Sequence, residues 1–209
     1  MARAAAVDFA HPKDRADEYA AALGTVRFLE LPAHRFVMID GEGRPGDATF
    51  APRMPGLYAT AYTLHFALKR RGVVARIGPL EGLWWPCETG GLQELVTGVD
   101  QGDWHWTLLI GLPDEASAAE VETAVAAGRG KLVEPFAADL RVEALREGRA
   151  AQVVHVGPYD AEGPTIERLH AAIAAAGLRA HGPHHELYLG DPRRSAPARL
   201  RTLVRQPVL

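Results

Sequence analysis

VRFLELPAHRFVMIDGEG, residues 26–43, followed by MPGLYATAYTLHFALK, residues 54–69, decides the fold. The first stretch has the β-branched and aromatic content of a strand and runs into a Gly-rich turn. In the second, preceded by Pro52 and Pro55, Leu57, Ala61, Leu64 and Leu68 recur at helical spacing until Gly72, which predicts a long helix. Two more strand candidates follow, RIGPLEGLWWP (76–86) and DWHWTLLIGLP (103–113), each bounded by Gly or Pro. Strand, helix, strand, strand makes a β-α-β-β unit.

Working outward, Ser117 and Glu120 form a capping box before an Ala/Val-rich connector helix that ends near Gly128. LRVEALREGRAAQVVHVG (140–157) predicts a hairpin turned at Glu147-Gly148. A helix from about Ala161 carries the stripe Ile166, Leu169, His170 and Ile173, with Gly177 as its C-terminal cap. HHELYLG (184–190) reads as a strand and SAPARLRTLVR (195–205) as a short helix with Leu200, Leu203 and Val204 on one face. The expected class is therefore α+β, with the strand-helix-strand theme used twice. Its parts are an N-terminal arm (1–24), module one (about 25–113), the connector helix (about 117–130) and module two (about 138–209).

Composition narrows the function. The chain has 209 residues, 47% of them hydrophobic and 23% charged, as in soluble globular proteins, and no apolar run long enough to span a bilayer. Its start, MARAAAVDFAHPKDRADEY, lacks a signal-peptide core, so a cytoplasmic location is expected. A formal net charge of −3 argues against a nucleic-acid surface. The one cysteine, Cys87, excludes an internal disulfide framework and reads as a core or pocket thiol. Of nine histidines, His181, His184 and His185 lie close in sequence, but strand alternation sends the last two to opposite faces, so neither metal nor cofactor is expected. The expected partner is a small aromatic molecule, bound by a monomer or weak homodimer, with no nucleic acid and no membrane.

HHELYLG is the most informative segment for chemistry. Alternation sends Leu187 and Leu189 to a face that should pack under the helices, and Glu186 and Tyr188 to the opposite one. On an open face these two are ordinary solvated residues. Over a concave surface the Glu can pair with a cation or act as a general base, and the Tyr can stack or donate a proton. Candidate walls are numerous. Met54, Tyr58, Tyr62 and His65 form a stripe beside the apolar stripe of the first helix; Trp84 and Trp85 are adjacent on one strand, so one of them leaves the core face; Trp104 and Trp106 share a face of the next. Each alone suits a core, whereas several together would cage a flat or cationic ligand. In GPYDAEGPTIERLH (157–170), Tyr159 sits at the apex of a strand-to-helix turn, Asp160 and Glu162 read as helix-capping and macrodipole acids, and His155 as a hydrogen-bonded core histidine that also borders the site.

LEGLWW (80–85), the MPGLYATAYTLHFALK helix, GPYDAE (157–162), HHELYLGDPRR (184–194) and PARLRTLVRQPV (197–208), in that order, resemble the free-standing branch of the gyrase-inhibitor-like small-molecule-binding family. The resemblance covers roughly residues 25 to 208. It implies two β-α-β-β modules related by a pseudo-twofold, with a ligand groove between their sheets. Some relatives are effector domains of multidrug-responsive regulators; others resemble hydrolases that open cyclopropane-bearing DNA-alkylating compounds with water. Carried over, this implies Glu186 as general base or electrostatic anchor, Tyr62 and Tyr188 as candidate catalytic phenols, and Trp side chains that sandwich the substrate. A 24-residue arm is too short for a helix-turn-helix, which favours a stand-alone hydrolase or, alternatively, a non-catalytic multidrug-binding or sensing domain.

Overall fold

The computed structural model describes residues 15–43, 48–86 and 104–209. Cys87 and the rest of the loop between the second and third strands lie outside the described residues. In chain order the elements are β1 (Arg27–Glu42), α1 (Met54–Arg70), β2 (Leu80–Pro86), β3 (Trp104–Gly111), α2 (Ala118–Arg129), α3 (Phe136–Asp139), β4 (Arg141–Val156), α4 (Gly163–Ala175), β5 (His184–Tyr188) and β6 (Arg201–Pro207). All six strands pair antiparallel into one closed sheet in the order β1-β3-β2-β5-β6-β4. The class is α+β, as the sequence predicts.

Helix α1 forms where its apolar spacing says it should. Leu57, Leu64 and Leu68 are wholly buried and Ala61 nearly so, against Val37, Ile39, Leu108 and Ile110 of β1 and β3. Burying each large aliphatic side chain contributes about 1.5–3 kcal/mol. Gly72, with φ +78°, takes the left-handed conformation that ends the helix. The capping box of α2 forms as expected, Glu120 N–H donating to Ser117 Oγ and Ser117 N–H to the Glu120 carboxylate. The helix runs past Gly128 to Arg129. A Cβ on Gly128 would lie 2.1 Å from Thr60 Oγ1 and 2.7 Å from Gly56 O, so this glycine lets α2 press directly on α1. The α4 stripe also holds: Ile166, Leu169 and Ile173 pack on Ala151, Val153, Val204 and Val208.

Three expectations are corrected. Residues 141–156 are one strand, not a hairpin, because β1 pairs with β4 in continuous register from Arg27↔Gln152 to Leu31↔Gly148 and again from Ala33↔Arg146 to Met38↔Arg141. The turn-like Glu147-Gly148 is absorbed as a local irregularity in which Gly148 has φ +68°. Residues 201–207 are strand β6, preceded by a 3₁₀ turn at Pro197–Arg199, rather than a helix. Leu203 and Val204 point to opposite faces and both are wholly buried, so β6 carries no period-two signal. Finally, the Leu face of β5 does not lie under the helices. Leu187 packs with Tyr19, Val154 and Leu203, whereas Glu186 is paired with Val204, which belongs to the α4 cluster, and Tyr188 packs against the α1 cluster.

Candidate functional site

Strand β5 sets the site. It lies between β2 and β6, and its register places Gly82 and Val204 on either side of Glu186 and Leu80 and Thr202 on either side of Tyr188. The Glu186 side chain is 14% exposed, a carboxylate sunk into a helix-covered face with a small part of its surface left uncovered. Trp84, opposite His184, donates its indole N–H to the Tyr188 hydroxyl at 3.1 Å. Burial first, then the charges of Glu186 and Glu162, hold the Tyr188 phenol well above its usual pKa, so at neutral pH it keeps its proton.

Glu162 is the residue that sequence reasoning misplaced. It is the N-cap of α4 but makes no side-chain cap hydrogen bond, and it is 4% exposed. Its carboxyl meets that of Glu186 instead. Burial, the charge of Glu186 and a hydrogen bond to it push Glu162 up to about 9, with Thr202 pulling the other way. Two carboxyls in contact away from water cannot both ionise, so Glu162 retains a proton at neutral pH. The sequence signal was the acid that closes GPYDAE, whose strand-to-helix turn folds it back over the sheet.

The phenols gather around this pair. Tyr159, on the 3₁₀ turn Tyr159–Ala161, meets Tyr188 edge-on at 5.5 Å between ring centroids. Burial raises its pKa, followed by the charges of Glu162, Glu186 and Asp191. Tyr58 of α1 is raised by burial too, and feels Arg193 and Asp191, which are themselves paired at 3.0 Å. Tyr62, one turn further along α1, is 50% exposed and stacks on Phe66 at 6.4 Å. It therefore stands toward solvent, whereas Tyr188 is in the cluster.

The tryptophans divide between the faces. Trp84, Trp104 and Trp106 all join the α1 core, and Trp106 is wholly buried, with Phe50 at 5.1 Å and the Arg53 guanidinium 5.4 Å from its ring. A Cβ on Gly41 would fall 2.1 Å from the Trp106 ring, so this indole lies across bare backbone. Trp85 goes to the other face, beside Leu83 and Leu109 and 6.0 Å from His105. Met54 packs at the edge of the α1 core. His155 is buried and bonded to Thr165 Oγ1 and Pro158 O, both at 3.1 Å, tying the Tyr159 turn to α4. Of the residues singled out from sequence, the structure thus brings together Glu186, Tyr188, Trp84, Tyr159 and Tyr58.

The reverse face of β5 holds an ionic cluster that no motif signals. His185 is bonded through Nδ1 to Glu147 and through Nε2 to Glu81, both at 2.9 Å. Tyr19 donates to Glu81 at 2.8 Å; Arg205 donates to Glu147 at 2.7 Å, to Gln152 at 3.0 Å and to the Glu18 carbonyl at 2.9 Å. Burial opposes a charge on His185, but the charge and hydrogen bond of Glu147, with those of Glu81, overcome it and raise the imidazole to about 9. Among the described residues, no three His, Cys, Asp or Glu side chains converge as metal ligands.

These features sit in a chain that belongs to the GyrI-like small molecule binding domain family, whose model matches residues 24–209. Two solved Listeria innocua structures are similar over nearly the full length. One is described as an uncharacterized conserved protein, 29% identical, with a TM-score of 0.80 over 94% of this chain and 98% of that one. The other is described as a hydrolase, 28% identical, with a TM-score of 0.76 over the same shares. The C-terminal domain of EcmrR, 12% identical and covering 88% of this chain and 97% of its own, shares the fold at a TM-score of 0.56. A search of curated proteins finds no match.

Proposed function

We propose that this protein binds flat, hydrophobic or cationic aromatic molecules over β5 and hydrolyses cyclopropane-bearing DNA-alkylating compounds, protecting the cell that makes it. The fold is then two β-α-β-β modules, and the ring order in its favour maps onto itself when β1, β2 and β3 exchange with β4, β5 and β6. The ligand groove lies where Tyr58 of the first module meets Tyr159 of the second, the residue that also feels Glu162 and Glu186.

The observation that carries this reading is the contact between Glu186 and Glu162 beneath the phenols. Stacked rings fix the plane of the ligand and keep bulk water out. Glu186 takes a proton from one water, whose oxygen bonds to a cyclopropane carbon as a ring C–C bond breaks. The electron pair of that bond moves into the conjugated carbonyl, and the oxygen that becomes anionic takes its proton from Glu162. Tyr188, held by Trp84, donates a hydrogen bond toward charge at the site. The hydrolase description of a 28% identical structure agrees with such chemistry.

The test is to incubate the purified chain with a cyclopropane-bearing alkylator and follow the compound by mass spectrometry. A gain of one water that requires the protein supports hydrolysis; an unchanged mass beside tight binding supports the second reading. That reading, a non-catalytic binder of lipophilic cations, is favoured by the single negative charge that a carboxyl pair with one shared proton presents to a ring-lined surface.

A further inference from the structure

His184 stands two residues before Glu186 on β5, so the two side chains leave the same face, and His184 Nε2 lies 3.5 Å from Glu186 Oε1. The ring is wholly buried, and neither of its nitrogens has a hydrogen-bond partner. An unpaired buried imidazole is costly, which makes its retention informative. Its neighbour His185 has both nitrogens bonded to carboxylates. The titratable groups facing His184 are Glu186 on its own strand and His170 from α4, while Trp84 of β2 stands opposite. His170 Nε2 and Glu162 Oε1 are also buried without partners. Unpaired donors and acceptors therefore accumulate behind the carboxyl pair.

Resting on the hydrolytic reading above, we infer that His184 is a positioning residue that receives, through Glu186, the proton leaving the attacking water and holds it until the product departs. The ring-opening step leaves Glu162 without its proton and Glu186 with one. Passing that proton to His184 Nε2 makes an imidazolium 3.5 Å from Glu186, whose positive charge offsets the two carboxylates that Glu186 and Glu162 then form, and Glu186 stays hydrogen-bonded to the new hydroxyl group. When the product leaves, the proton runs back through Glu186 to Glu162, and the starting state is restored with one water consumed. No other reactant is needed. His170, beside His184, is pushed down by burial first and then by the charge of His184, so it does not compete for this proton.

Cyclopropane opening is measured from pH 5 to 9 in wild type, His184→Gln and His184→Asn, alongside binding of a rhodamine dye to each. Because His184 must be neutral to accept, wild-type turnover rises with pH along a limb that both variants lack. Their kcat falls tenfold or more while the dye Kd stays within twofold. A ¹⁵N titration of the wild-type imidazoles should place the His184 midpoint on that limb, a check that requires no variant to fold. Wild-type turnover and pH profile in either variant, or a His184 midpoint far from the kinetic limb, overturns the inference. A wild-type protein that yields no product overturns the hydrolytic reading instead, and the inference with it.

Discussion

Trp84 donates its indole N–H to the Tyr188 hydroxyl at 3.1 Å across the β2–β5 pair, beside Gly82, which has no side chain to intervene. A Cβ at Gly82 would stand 2.7 Å from Trp84 Nε1 and 2.9 Å from Tyr188 Oη. Gly82→Ala should therefore push the two groups apart. Overpacking of this kind costs about 1–3 kcal/mol. Chemical denaturation is expected to show that loss, together with weaker binding of an aromatic cation; unchanged stability and affinity would mean that the contact does not shape the site.

Glu162 predicts a site that sacrifices stability. Burial and the neighbouring Glu186 push its carboxyl up to about 9 in the folded chain, from the usual 4.5. The native chain therefore keeps a proton that the unfolded chain has released, and the handicap grows as pH rises from about 4.5 toward 9. Glu162→Gln should melt several degrees higher than wild type at pH 8, with the difference vanishing near pH 4. Calorimetry across that range checks the sign.

The cluster behind β5 predicts a loss in the same direction on its alkaline side and a separate loss in acid. His185 is raised to about 9 from 6.5, so its contribution is complete below about pH 6.5 and is lost as pH climbs through 9. At Glu147 burial works against the charge, but His185 and Arg205 outweigh it and hold the carboxyl at about 2; that contribution is present above about pH 4.5 and lost as pH falls through 2. His185→Gln leaves buried carboxylates poorly paired and should cost about 3–5 kcal/mol. Urea titrations at pH 6 should reveal this, with a smaller difference from wild type at pH 9.5.

Where one apolar stripe faced one surface, the sequence was legible. Leu57, Ala61, Leu64 and Leu68 announce α1, and period-two alternation in HHELY correctly puts Glu186 and Tyr188 together. Strand β6 was illegible because both of its faces are covered, which erases alternation. Glu147-Gly148 looked like a turn because local propensity cannot know that β1 pairs along β4. Glu162 was read as a helix-end acid and His184 weighed only as a metal ligand, for a different reason: their significance comes from a neighbour 24 residues away and from a missing partner, neither of which leaves a spacing. The tryptophans were conspicuous in sequence, yet Trp104 and Trp106 serve the core beneath α1.

Glu186 is the group on which the proposed chemistry turns, and comparing Glu186→Gln with wild type in the same cyclopropane-opening assay tests it most directly. Glutamine keeps the shape and removes the base, so the rate should fall on the order of a hundredfold or more while ring stacking still holds the ligand. Equal rates of water addition by the two proteins would contradict a role for this carboxylate in catalysis.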